Sequence, residues 1–158
     1  MTAARRKSLW AIAALGAVAL GGAAWLWLTP GGGTAVVLRP GDAAVVAVGK
    51  TIYGKHCASC HGANLEGQAN WRERLPTGRL PAPPHDRTGH TWHHPDAQLF
   101  DLIKRGPAAV VGGSYQSDMP GYAGILSDAE IVAVLSYIKS TWPDSVRQRH
   151  DEINLRTK

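Results

Sequence analysis

The sequence predicts a small, mainly α-helical domain with long loops, preceded by one long apolar helix. Three observations carry this. An uncharged run spans Leu9 to Leu28, three later segments place apolar residues at helical spacing, and the stretches between them are rich in Gly, Pro and His with little strand-like alternation. At 158 residues the chain has room for one domain and a little more, which excludes a multidomain enzyme. Its 17 Lys and Arg against 12 Asp and Glu give +5, but Arg5, Arg6 and Lys7 precede the apolar run. Beyond those three the balance is 14 basic to 12 acidic residues, too small an excess for nucleic-acid binding. Of the 20 residues from Leu9 to Leu28, 17 are apolar, whereas from Thr29 onward only 50 of 130 are, with a single Phe. So thin a complement gains from a large apolar group that the sequence does not encode.

Residues 1–8 form a basic N-terminus and residues 9–28 a transmembrane anchor. At about 1.5 Å per residue its length is roughly 30 Å, a bilayer core. The positive charges before it, the absence of charge until Arg39, and Trp25 and Trp27 near its far end put the N-terminus in the cytoplasm and the rest outside. A cleaved leader, with Leu9 to Leu20 as its apolar region and Gly22, Ala23 and Ala24 near a cut site, is the alternative. The apolar continuation to Leu28 favours the anchor. Residues 29–41, with Pro30, three consecutive glycines and Pro40, read as a flexible linker reaching on the order of 20 Å.

The domain then occupies residues 42–143. Its first helix starts at Asp42, a good N-cap, and runs through Val45, Val46, Val48, Ile52 and Tyr53 toward Cys57. A second begins near Pro95 and Asp96, carries Leu99, Phe100, Leu102 and Ile103, and stops at Gly106 and Pro107. In the last, Ser127 and Glu130 make a capping box, Ile131, Val134, Leu135 and Ile138 an apolar stripe, and Pro143 the end. Residues 144–158, with Arg147, Arg149, Arg156 and Lys158 against Asp151 and Glu152, read as a polar tail, a solvated helix end.

Both cysteines lie in one pentapeptide, Cys57-Ala-Ser-Cys60-His61, the pattern of covalent c-type haem attachment. On a helical turn two sulfurs three apart and an imidazole four from the first share one side. Cys57 and Cys60 would form thioethers with the vinyl groups of one haem c, and His61 would be the proximal iron ligand through a neutral ring nitrogen. A disulfide, a thioredoxin-like pair or a zinc site leaves the adjacent His unexplained, and neither a βαβ pattern nor a second Cys pair is present. For the sixth position the candidates are Met119 and His56, His85, His90, His93, His94 and His150. Met119 is the only methionine besides Met1 and lies between Asp118 and Pro120 in a glycine-bracketed loop rather than on a helix stripe. Met with His is a standard pair for this haem, so Met119 is expected as the distal ligand.

The stretch from about Val45 to Pro143 resembles a bacterial class I, mono-haem cytochrome c. The resemblance is carried by Gly49-Lys-Thr-Ile-Tyr53 leading into Cys57-Ala-Ser-Cys-His61-Gly62, by Met119-Pro120-Gly121-Tyr122, and by Leu126-Ser-Asp-Ala-Glu130-Ile131 with Tyr137-Ile138. It implies a small helical domain wrapped around one haem, first and last helices crossing near Gly49, Tyr53 and Tyr137, and single-electron transfer. A proline carbonyl that orients the proximal His is also implied, with Pro81, Pro83 and Pro84 all available.

Two protein axial ligands leave iron no open position for oxygen or substrate, so the expectation is a respiratory-chain electron carrier rather than an enzyme. Its setting would be the bacterial inner membrane, single-pass, with the haem domain in the periplasm. Its partners would be redox proteins such as a terminal oxidase or a dehydrogenase. The competing class is a copper-binding or copper-delivery protein using His90, His93, His94 and Met119, which leaves the pentapeptide without a role.

Overall fold

The computed structural model describes residues 36–157. The basic N-terminus, the anchor expected over 9–28 and most of the linker lie outside the described residues. The chain divides into two units between Thr34 and Ala35, and the described residues belong to the second.

Asp42 caps the first helix, α1 (Ala43–His56), its carboxylate accepting from the Ala44 and Val45 amides at 3.1 Å each. After Cys57 the chain makes one further turn, α2 (Ala58–His61). A long irregular connection follows, then a single 3-10 turn over Thr91–His93 and α3 (Asp96–Arg105). Next come the short α4 (Pro107–Val111), then α5 (Asp128–Ser140) and α6 (Asp144–Arg156). Among the described residues there is no strand, only an isolated bridge between Ala123 and Leu126, and no helix long and apolar enough to cross a membrane.

The core forms where α1 crosses α5. Gly49 makes this possible: a Cβ there would lie 2.0 Å from the Ala133 carbonyl oxygen and 2.9 Å from Tyr137 Cβ. Ile52 and Tyr53 of α1 and all four stripe residues of α5, Ile131, Val134, Leu135 and Ile138, are buried with Leu99, Leu126 and Trp142. Both arms of the Ser127–Glu130 capping box form, with Ser127 Oγ accepting from the Glu130 amide at 3.3 Å and the Glu130 carboxylate accepting from the Ser127 amide at 2.8 Å. The crossing at Gly49, Tyr53 and Tyr137 is thus present, although α5 is followed by another helix.

Two expectations change, while the second helix stops at Gly106 and Pro107 as expected. Gly106, at φ +83°, breaks it, and Pro107 then opens α4, since a proline costs nothing where the N–H has no helical partner. The linker is shorter than its composition suggests. Leu38 is buried, its amide donates to Asp96 Oδ2 at 3.3 Å, and the Arg39 amide donates to Ser136 Oγ at 2.9 Å.

The tail is also not a solvated end. It folds as α6 and packs on the Thr91–His93 turn. Its inward positions, Val146, His150, Ile153 and Asn154, keep helical spacing with only two apolar residues among them. Polar groups serve instead. His150, with no solvent exposure, donates from Nε2 to the His94 carbonyl at 2.9 Å and meets Trp142 edge-on at 5.1 Å. Asn154 exchanges two hydrogen bonds with Asp96, at 2.7 and 3.1 Å. Lys139 Nζ, on a side chain only 6% exposed, reaches Asp151 at 2.5 Å.

Burial holds the His150 imidazole below its ordinary range and Lys139 adds to the effect, while Asp96, the His94 carbonyl and Asp151 oppose it. The unfolded chain therefore binds a proton that the folded chain refuses. Stability should be complete above about pH 6.5 and fall as the pH drops below it. Denaturant unfolding between pH 5 and 7.5 should show this fall, with a shallower slope in His150→Gln, where the donor is kept and the titration removed. Equal slopes in the two proteins would exclude His150 as a source of the pH dependence.

Candidate functional site

Cys57, Cys60 and His61 occupy the turn that follows α1. The His61 amide donates to the Cys57 carbonyl at 2.9 Å and the Cys60 amide to the same oxygen at 3.1 Å, so the pentapeptide is a closed helical turn. Both cysteines are free thiols, Cys57 half-buried and Cys60 exposed. Burial, with Cys60 beside it, pushes the Cys57 thiol up to about 11, so it is protonated at neutral pH.

His61 is buried, and its Nδ1 lies 2.8 Å from the Pro83 carbonyl oxygen. A carbonyl only accepts, so the ring proton is on Nδ1 and Nε2 keeps its lone pair. Burial lowers the His61 pKa, with the Pro83 bond opposing, which keeps the ring neutral. The structure thereby selects Pro83 over Pro81 and Pro84. That proline segment is itself pinned, because a Cβ at Gly67 would lie 2.4 Å from Pro84 N and one at Gly89 2.0 Å from Pro84 O. Leu65 holds a positive φ of 68°, rare for a large side chain, and its carbonyl accepts from the His85 amide at 2.8 Å.

Two tyrosine hydroxyls grip the ends of the pentapeptide. Tyr53 donates to the Gly62 carbonyl at 2.9 Å, with the His61 carbonyl at 3.3 Å. Tyr122 donates to the His56 carbonyl at 2.8 Å. Burial raises the pKa of both, foremost among its causes, so both remain donors.

Met119 is half-buried in the loop between α4 and α5, its amide donating to Ser117 Oγ at 3.1 Å. The loop continues against the end of α3, where the Tyr122 and Ala123 amides donate to the Ile103 and Lys104 carbonyls, each at 2.9 Å. Gly121 is needed there, since a Cβ would lie 2.7 Å from the Arg105 carbonyl. Asp118 pairs with Arg79. Through Tyr122 the loop carrying Met119 is joined to the residue before Cys57.

The other ligand candidates are occupied elsewhere. His85 stacks on His61, centroids 4.0 Å apart. His90 stacks on Trp71 at 5.2 Å, with the Arg72 guanidinium 4.0 Å from the same ring. His93 stacks on Trp92 at 3.7 Å, His94 meets His90 edge-on, and His56 meets Tyr122 edge-on. His150 is enclosed under α6. Among the described residues no three His, Cys, Asp or Glu side chains gather as a metal site.

The residues fit a haem c. Two free thiols and a neutral imidazole oriented to leave Nε2 available are present. Half-buried Ala58, Phe100, Ile103 and Tyr122 add apolar surface. The indole N–H of Trp92 is buried with no acceptor among the described residues, a donor suited to a carboxylate such as a haem propionate. Sequence reasoning missed the roles of the Tyr53 and Tyr122 hydroxyls. Only their positions beside the pentapeptide and Met119 could have pointed to them.

Residues 46–142 match the family model for cytochrome c. The chain is 34% identical over 101 residues to the Cbb3-type cytochrome c oxidase subunit CcoP of Azospirillum brasilense. It is 30% identical over 102 residues to the subunit of the same name from Azospirillum sp. (strain B510). Each alignment takes in 63% of this chain but spans only 30% of the relative. No solved structure matches. The family match runs from within α1 to Trp142, the buried residue after α5, so it takes in the pentapeptide and the Met119 loop together, and by it this chain belongs to the cytochrome c family.

Proposed function

We propose that the chain is a mono-haem electron carrier of a respiratory chain, with His61 and Met119 as axial ligands and Cys57 and Cys60 as the covalent attachment. The observation that carries this reading is the Pro83 carbonyl on His61 Nδ1, which fixes the tautomer and ring orientation a coordinating histidine needs. Bound haem c supplies a one-electron iron couple. Tyr53 and Pro83 hold the attachment turn and the imidazole, and the glycine-pinned loop presents the Met119 thioether. Filling both axial positions from the protein closes the iron to oxygen and peroxide, which favours a carrier over an enzyme. A soft thioether favours the ferrous state and a high potential, suited to delivery near the end of a chain.

The partner in this reading is a terminal oxidase, supported by the similarity to relatives named as cbb3-type oxidase subunits. Leu9 to Leu28 anchors the protein in the bacterial inner membrane by a single pass, with the haem domain in the periplasm, on the charge asymmetry of the sequence.

Replacing both Cys57 and Cys60 with Ala should yield protein without covalent haem and with most helical circular dichroism lost, because the encoded core is small. A cooperative, native-like melt in that variant would contradict the dependence on haem. Met119→Ala should abolish the weak far-red sulfur-to-iron charge-transfer band of the ferric protein and let the ferrous form bind carbon monoxide. An unaltered spectrum and potential would remove Met119 as ligand. Membranes solubilised in mild detergent should yield the cytochrome together with a terminal oxidase. Recovery as a free exported protein whose N-terminus starts between Ala23 and Thr29 would overturn both anchor and stable complex.

A further inference from the structure

We propose that the Tyr122 hydroxyl is a positioning device that locks the Met119 loop to the haem-attachment peptide and thereby keeps Met119 on the iron. The inference rests on the axial pair His61 and Met119 proposed above.

The loop around Met119 is held in three ways. The Asp118–Arg79 pair is solvent-exposed on both sides and such pairs contribute little. The backbone bonds from Tyr122 and Ala123 to Ile103 and Lys104 fix the loop to α3, which says nothing about its distance from Cys57. The 2.8 Å bond from Tyr122 to the His56 carbonyl is the one that reaches the attachment peptide. His56 is the residue before Cys57 and Tyr122 is three residues after Met119, so this bond closes a short bridge between the segments that carry the proximal and distal ligands. Three residues span at most about 10 Å, which leaves Met119 little freedom while the bridge is closed.

The acceptor has a reason of its own. His56 is the last residue of α1, and its carbonyl is among those a helix cannot pair internally. The bond is partly buried, and the ring that carries the hydroxyl packs on the core and meets the His56 imidazole edge-on at 6.0 Å. Breaking it strands a carbonyl as well as losing a donor. Tyr53, the other hydroxyl on this peptide, reaches it from α1 itself and so tightens the turn without tying it to Met119.

The lock is read by a ligand that must displace Met119. Imidazole binds ferric iron only in the fraction of molecules whose loop has swung away, so its apparent affinity scales with that fraction. In the haem-loaded protein Tyr122→Phe keeps the ring and removes the hydroxyl. It should bind imidazole about tenfold more tightly and lose the sulfur-to-iron band at correspondingly lower imidazole, the size expected for one partly buried hydrogen bond. Ile138→Val, which removes a methylene from the core of α5, should lower the melting temperature without changing imidazole affinity. Unchanged affinity in Tyr122→Phe, with the band present in the parent protein, overturns the lock alone. An equal gain in Ile138→Val reduces it to general loosening. A parent protein without the band removes Met119 as ligand and the proposal with it.

Discussion

A backbone carbonyl accepts a hydrogen bond and never donates one, so the contact between Pro83 O and His61 Nδ1 decides where the imidazole proton sits. The carbonyl belongs to an irregular segment with no helix or strand of its own. Gly67 and Gly89 close on its neighbour Pro84 too tightly for any side chain, and Leu65 accepts a strained φ while receiving the His85 amide. Farther back, the Trp142 indole donates to the His85 carbonyl at 2.7 Å, which ties the segment to the end of α5. Orientation of one ring is thus supported through consecutive contacts by the packed helix pair α1 and α5.

That helix pair was legible from the sequence because its signals are local. Asp42 and the Ser127–Glu130 box announce two N-termini, and the Ile131 to Ile138 stripe has the helical period. The attachment turn was legible because Cys-x-x-Cys-His has one common chemical use. The choice among Pro81, Pro83 and Pro84 was not legible, because it depends on how a 22-residue separation closes in space. Nor was α6. Its inward stripe relies on His150 and Asn154, and a reading that counts apolar residues sees only a polar tail. Leu38 was hidden for a related reason, being one apolar residue in a Gly- and Pro-rich stretch whose burial depends on amide partners contributed by Asp96 and Ser136.

In the proposed axial pair, the same long-range closure separates the two ligand motifs in kind. The pentapeptide is defined by covalent spacing, so its chemistry survives modest changes in packing. Met119 has no such guarantee. Its place depends on Gly121 fitting beneath Arg105, on backbone bonds to α3 and on a hydroxyl three residues downstream. In the proposed carrier this asymmetry is useful, since covalent attachment would keep the cofactor while a bond that can be weakened would set the potential and guard access to the iron.

The polar underside of α6 carries this logic to the far side of the domain. Asp96 opens α3 and at once accepts from Leu38 and Asn154, while His94 accepts from His150. The loop that carries Trp92, whose indole N–H has no acceptor among the described residues, therefore lies between two helices joined largely by hydrogen bonds. Such a network holds firmly only while every member is paired, because each stranded buried group costs on the order of 1–3 kcal/mol. Protonating His150 would put a positive charge beside Lys139, which is already buried against Asp151, and Asp96 is the nearest carboxylate to answer it, at 3.5 Å. The part of the domain least like an apolar core is thus one whose integrity should follow pH, as should that of the enclosed His85 stacked on His61, and it adjoins the loop whose Trp92 N–H lacks an acceptor among the described residues.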